Sequence, residues 1–346
     1  MGGAGMRQKC STGFLSPIAC ALMTFRYGAG HVLVFTHLPL MLKSLLSRFV
    51  LALAVALGVA TLVFLLMHLT PGDPVEAMLG ESASGADRAA LRTALGLDAP
   101  LPAQWWRFVS GLATGDLGRS IGAQQTVATL IAERLPNTVV LALAALAIAI
   151  TLALPLGLLS ALRLGGACDR ATSVFAVLGM SLPSFVLGPL LMMVFAVWLG
   201  WLPVSGSERA IGLVLPAVTL GLALAAPLSR MVRAAVAEVL NEEFICAAYA
   251  RGLSAQQVLW RHALRNAALP VLTIIGMQLG ALLGGAVVTE MVFGWAGLGQ
   301  LTLEAIQRRD YPLVQGCVLV VSLGYVGVNL LTDAVYGLVD PRVARR

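Results

Sequence analysis

Six almost unbroken runs of apolar residues punctuate this chain: Phe49 to Leu69, Thr138 to Leu162, Ala171 to Leu199, Ile211 to Leu228, Leu269 to Thr289 and Leu313 to Leu331. Each holds about 18 or more residues and at most one charge, the length a helix needs to cross the hydrocarbon of a bilayer. The pattern predicts an all-α, polytopic membrane protein with about six transmembrane helices. Between the fourth and fifth runs the periodicity changes. From Arg230 to Tyr249 the apolar residues Met231, Val232, Val236, Val239 and Leu240 take one side, with Glu238, Asn241 and Glu242 on the other, so a helix that runs out at Pro227 is followed by an amphipathic one. Gly252 stops it. Leu253 to Val258 then reads as a helix start, with Ser254 as N-cap, Gln257 completing a capping box, and Leu253 and Val258 as a hydrophobic staple.

Two helices therefore meet at a corner around Gly252. Ala247, Ala248 and Gly252 carry almost no side chain, which lets another body approach the backbone. The same stretch, with Arg251, Arg261 and Arg265, also suits an amphipathic pair lying on lipid headgroups, and the pattern alone leaves both readings open.

Inside the spans, Pro155 to Gly157, Ser181 to Phe185 with Pro183 at its centre, Gly188-Pro189, Pro216 and Pro227 interrupt helical hydrogen bonding, as packing kinks or as gating hinges. Gly276, Gly280, Gly284 and Gly285 form a small-residue stripe for close helix approach, within the subunit or against a partner. Asp333 is an intramembrane acid and a functional candidate, with Arg342 as a structural alternative partner. Residues 70–137 are the only sizeable extramembrane piece on the outer face; they open on ProGlyAspPro (71 to 74) and include a short helix, Ala86 to Leu95, ended by Gly96. Trp105, Trp106 and Phe108 within them suit an interfacial belt better than a ligand-stacking site.

Composition agrees with lipid as the solvent. Of 346 residues 58% are hydrophobic and only 12% charged, against about a quarter charged in soluble domains. With the start inside, the inner segments hold Lys43, Arg48, Arg163, Arg170, Arg230, Arg233, Arg251, Arg261 and Arg265, while the outer ones carry most of the acids, among them Asp73, Glu76, Asp116, Glu290 and Asp310. Both termini and the corner are thus expected in the cytoplasm. The net charge of +6 follows from that topology and from anionic lipid, and implies no nucleic-acid partner. Residues 1–40 are too broken for a span and lack a cleavable leader, so they are expected to be a disordered tail or to precede the natural start at Met41.

Enzyme chemistry is thin. The only lysines are Lys9 and Lys43, neither preceded by glycine, so no P-loop of the Gly-Lys-Ser/Thr type exists and energy must come from a partner or an ion gradient. His31, His37, His68 and His262 have no metal-ligand spacing with one another or with the five cysteines.

CysAlaAla (246 to 248), three residues and then Gly252 resemble the EAA-x-x-x-G loop of the membrane subunits of binding-protein-dependent ABC importers, and HisAlaLeuArgAsn (262 to 266) before LeuPro (269 to 270) is similar to its peptide-permease form. The resemblance extends through GlyAspLeuGly (115 to 118), ArgLeuProAsnThr (134 to 138), LeuProValSerGly (202 to 206), ValPheGlyTrpAlaGlyLeuGly (292 to 299), ArgArgAspTyrProLeuValGlnGly (308 to 316) and AspProArg (340 to 342). It is closest to the first of two paired subunits in the dipeptide, oligopeptide, nickel and glutathione group. The glutamate of the signature is Cys246 here, so an ionic role for it does not carry over.

The resemblance implies a type I ABC importer transmembrane domain in the bacterial inner membrane. Its core is 126–337, after a first helix at 41–69 and a periplasmic segment at 70–137, with a coupling loop at 230–268 and a cytoplasmic tail at 338–346. Cys246, Ala247, Ala248, Arg251, Gly252, Leu253 and Ser254 would dock on an ATPase subunit; Pro183, Gly276, Gly280, Gly284 and Asp333 are the gating or packing candidates. Implied partners are a second permease subunit, two ATP-binding subunits that use ATP and magnesium, and a periplasmic or lipid-anchored binding protein, with no cofactor on this chain. An ion-coupled secondary transporter is the alternative, which should show an inverted repeat and charges at midplane.

Overall fold

In the computed structural model the described residues are 38–69, 75, 84–95, 98–206 and 210–339. Most of the 1–40 segment, the ProGlyAspPro turn, Gly96 and Arg342 lie outside them. The described chain is helical throughout, with one isolated bridge between Arg119 and Thr126.

The elements in order are α1 (Leu38–Leu69), α2 (Gly85–Leu95), α3 (Leu101–Ala113), α4 (Val127–Leu162), α5 (Ala167–Ser181), α6 (Ser184–Met192), α7 (Val214–Leu240), α8 (Glu243–Ala250), α9 (Ala255–Gln257), α10 (Leu264–Gly285), α11 (Val287–Phe293), α12 (Leu298–Gln307) and α13 (Tyr311–Val339). All six apolar windows fall on helices. Four described stretches are long and apolar enough to span alone, Val127–Leu162, Ile211–Leu240, Ala255–Gly284 and Tyr311–Tyr336. α1 contributes a shorter apolar stretch, Val50–Leu65.

Two windows are not straight. α5 and α6 meet at 102°, because Pro183 forces Leu182 out of the helical region (ψ 110°) and is itself extended (ψ 144°). The fifth window breaks at Ala286, between α10 and α11. Other prolines behave differently: Pro155, Pro189 and Pro227 all sit inside continuous helix. The expectation that the fourth span ends at Pro227 is therefore corrected. α7 runs on to Leu240, since a single missing hydrogen bond is tolerated where neighbouring helices pack on both sides of it.

α7 is the central helix, packed along α4 for most of its length and touching α5, α6, α10 and α11. Its inner face and that of α4 are built from alanines, among them Ala145, Ala149, Ala153, Ala225 and Ala235, with Leu228 and Val232 filling between. Small side chains let two backbones approach closely where lipid gives no hydrophobic drive to associate.

The glycine stripe of α10 faces α13 in the same chain. A methyl group at Gly276 would overlap Thr332, and one at Gly280 would stand 2.8 Å from the Tyr325 ring, while at Gly284 it would meet Val321 at an ordinary 3.5 Å. α3 lies against α1: the Trp105 indole donates to the Thr61 hydroxyl at 3.1 Å, and Trp106 is exposed. Trp105 is thus half anchored, as an interfacial aromatic should be.

Gly280→Val should lower stability by about 1–3 kcal/mol through overpacking against Tyr325, read as a fall in Tm of the detergent-solubilised protein. Gly58→Ala, where nothing lies within 4 Å, should leave Tm unchanged or slightly raised.

Candidate functional site

The corner is made of a stop signal and a start signal that meet at Leu253. α7 ends at Asn241, whose side chain reaches back to the Ala237 carbonyl at 2.7 Å, and Glu242 is extended, so the amphipathic stretch is two helices where the sequence predicts one. α8 then runs for eight residues. At its end Gly252 has φ +78°; its N–H bonds to the Tyr249 carbonyl at 2.9 Å and that of Leu253 to Ala248 at 3.4 Å. This is the Schellman arrangement, which needs a residue free to adopt a left-handed conformation.

The next residue starts the following helix. Ser254 Oγ accepts from the Gln257 N–H at 3.3 Å and the Gln257 side chain accepts from the Ser254 N–H at 3.1 Å, the expected capping box. Leu253 closes both caps and packs on a cluster of Ile245, Ala248, Val258 and Ala263, reaching Val239 and Leu240 of α7. α9 passes through a wider π turn, Val258–Ala263, straight into α10. The corner is therefore bolted to both helices that leave it.

Its faces divide cleanly. Cys246, Ala247, Arg251, Gly252 and Ser254 are exposed, with nothing within 4 Å of a methyl built on Gly252. Ala248 is fully buried. The spacing AlaAla-x-x-x-Gly thus has an architectural reason: Ala248 lies under Leu253 while Gly252 makes the turn, and Ala247 is the alanine left outside.

α7 is fixed just before the corner. The Arg233 guanidinium grips Asp169 through two hydrogen bonds, 2.5 Å and 2.9 Å, and Asp169 also accepts from the Ser160 hydroxyl at 2.5 Å and the Gly165 N–H at 2.8 Å. One carboxylate so ties the end of α4, the start of α5 and α7 together, bidentate on the arginine side.

Two more carboxylates hold the opposite end. Glu290 is fully buried and accepts from the Thr138 hydroxyl at 2.7 Å and from the N–H groups of Gly299 and Gln300 at 2.8 Å and 3.1 Å, at the start of α12. Thr138 accepts from Leu298 N–H at 2.7 Å, and Asn137 exchanges bonds with Ala296 and Trp295. Asp310 receives the Ser120 hydroxyl and the Gly122 N–H. The motifs at 134–138 and 292–299 are thus two halves of one joint, as are 115–122 and 308–316.

Of the remaining candidates, Pro183 sits at the exposed elbow of α5 and α6, and Asp333 is half-buried on α13. Neither lies at the corner. Sequence reasoning missed Asp169, Glu290 and Asp310 as joints; Asp169 and Glu290 lie near glycine-containing turns, whereas Asp310 follows two arginines with no glycine beside it.

Residues 153–345 match the family described as binding-protein-dependent transport system inner membrane component, and residues 41–142 match its N-terminal part. The chain belongs to this family. A glutathione transport system permease protein GsiC of Pectobacterium atrosepticum is 41% identical over 303 residues, covering 88% of this chain and 99% of that protein. Its namesake in Escherichia coli K12 is 40% identical over 285 residues, 82% and 93% of the two. An inward-facing MetNI methionine ABC transporter aligns with TM-score 0.52 at 21% identity, over 61% of this chain and 96% of that one, and shares the fold. The chain is the permease subunit of an ABC importer, built on the type I transmembrane fold, and the ion-coupled alternative has no support.

Ser254→Ala should cost about 1 kcal/mol locally. Hydrogen exchange at residues 255–257 should quicken severalfold while the global Tm moves little.

Proposed function

We propose that the corner at residues 246–254 is where an ATP-binding partner subunit docks, and that this permease lines half of an import path for small peptides of the glutathione kind. The observation that carries the reading is a doubly capped, exposed corner that presents Ala247 and Gly252 nearly bare of side chain, and whose inner face packs on α7 and runs on into α10. A groove on a partner could close over such a surface down to the backbone, and any push on it would pass directly into two spanning helices.

On this reading the corner and both termini lie in the cytoplasm, in keeping with the arginine bias. The first helix occupies 41–69, the periplasmic segment 70–137, the core 126–337 with its coupling loop at 230–268, and the tail 338–346. The chain carries no ATP site of its own; two partner subunits hydrolyse ATP with magnesium, a second permease subunit completes the path, and a periplasmic or lipid-anchored binding protein delivers the solute. The relatives named for glutathione transport support the solute class. Cys246 in the signature's glutamate position removes any ionic contact there, leaving shape to define the fit.

The test is docking of the ATPase subunit to purified permease carrying Ala247→Trp or Gly252→Trp. Ala247 has helical backbone, so its substitution adds bulk without the strain that a side chain meets at φ +78°. Both should weaken docking about tenfold or more, ~1.4 kcal/mol, with the permease still folded by its near-UV spectrum. Unchanged docking and unchanged solute uptake would return the corner to a lipid-facing amphipath.

A further inference from the structure

Between α5, α7 and α10 lies an open cavity of about 610 Å³, within the size range of small-molecule sites. Val177 and Met180 of α5, Pro227 and Met231 of α7 and Ile274 of α10 give it an apolar wall, and two arginines of α7, Arg230 and Arg233, face it. They are not equivalent. Arg233 is neutralised by its two bonds to Asp169. Arg230 has a single hydrogen bond, from Nη1 to the Met180 sulfur at 3.4 Å, and a thioether is a weak acceptor that cannot balance a charge. Among the described residues no carboxylate pairs with Arg230.

A guanidinium beside an apolar cavity, without a counter-ion of its own, is an anion site in waiting, and its planar fork fits a carboxylate best. We propose that this cavity receives the transported solute and that Arg230 takes its C-terminal carboxylate, while Asp169 keeps Arg233 from competing. The assignment rests on the reading of the solute as a small peptide. The apolar wall and Met180, whose side chain adapts to irregular shapes, would accept varied side chains while the carboxylate is held. A lipid phosphate could meet the same guanidinium, and the experiment separates the two sources.

The complete transporter, with binding protein and ATPase subunits, is reconstituted in vesicles of phosphatidylcholine with or without phosphatidylglycerol. Uptake of labelled glutathione is compared with that of its monoethyl ester, in which the glycine carboxylate is blocked, for the native protein, Arg230→Met and Arg230→Lys. Taking the ratio of the two solutes for each variant cancels any preference of the binding protein. The expected result is a loss of about tenfold for glutathione in Arg230→Met, the scale of a charge-assisted hydrogen bond, a much smaller loss for the ester, and partial recovery in Arg230→Lys. Equal losses for both solutes, or losses that follow the phosphatidylglycerol content and not the carboxylate, would overturn the assignment and leave the peptide-import reading standing. If the native complex takes up neither solute on adding ATP, the substrate reading fails and the assignment falls with it. Should Arg230→Met not assemble, the Arg230→Lys ratio makes the same comparison.

Discussion

A backbone N–H or carbonyl left without a partner away from water costs several kcal/mol, and this subunit is shaped by how it meets that cost at each place where a helix stops. Inside the long spans the ladder takes care of itself. At the breaks, side chains take over: Asp169 receives Gly165, Glu290 receives Gly299 and Gln300, Asp310 receives Gly122, and Ser254 with Gln257 closes the start of α9. Three of these five side chains are carboxylates, which accept two bonds or more and so can join separate helices as well as cap one. The caps therefore double as the joints of the bundle.

Those joints tie the helices together at both ends of the subunit. At one end Glu290, Thr138, Asn137 and Trp295 lock α4 to the turn before α12. At the other, Arg233 and Asp169 clamp α7 to the α4–α5 turn one helical stretch before the corner. Between them α4 and α7 meet through alanines, a surface smooth enough to slide or tilt without breaking specific bonds. The corner continues from the clamped end of α7 and returns into α10 through a π turn, a place where helical hydrogen bonding is already loosened. Motion applied there reaches the cavity wall through Pro227 and Met231 on one side and Ile274 on the other.

How much of this the chain announces depends on the range of the interaction. The spans follow from apolar length alone, and the corner follows from rules acting within six residues, which is why Gly252, Ser254 and Gln257 take the roles their spacing implies. The right-angle elbow follows from Pro183 acting on Leu182. Pro227 misleads because its effect depends on neighbours: with Ala225, Ala226 and Leu228 buried against other helices, the missing bond does not end α7. Ala248 misleads for a similar reason, since only the packed cluster reveals which of two adjacent alanines faces inward. The bonds from Thr138 to Glu290 and from Ser120 to Asp310 span 152 and 190 residues, and no local pattern marks their ends as partners.

The exposed Cys246 offers a direct probe of the corner as a contact surface for another protein. With Cys10, Cys20, Cys168 and Cys317 replaced by serine or alanine, a benzophenone maleimide attached at Cys246 in the assembled complex would be photolysed and its products sized. The expected result is a covalent adduct with the ATP-binding subunit whose yield changes with nucleotide. Label recovered only on lipid or on the permease itself, whatever the nucleotide, would contradict the docking role of the corner.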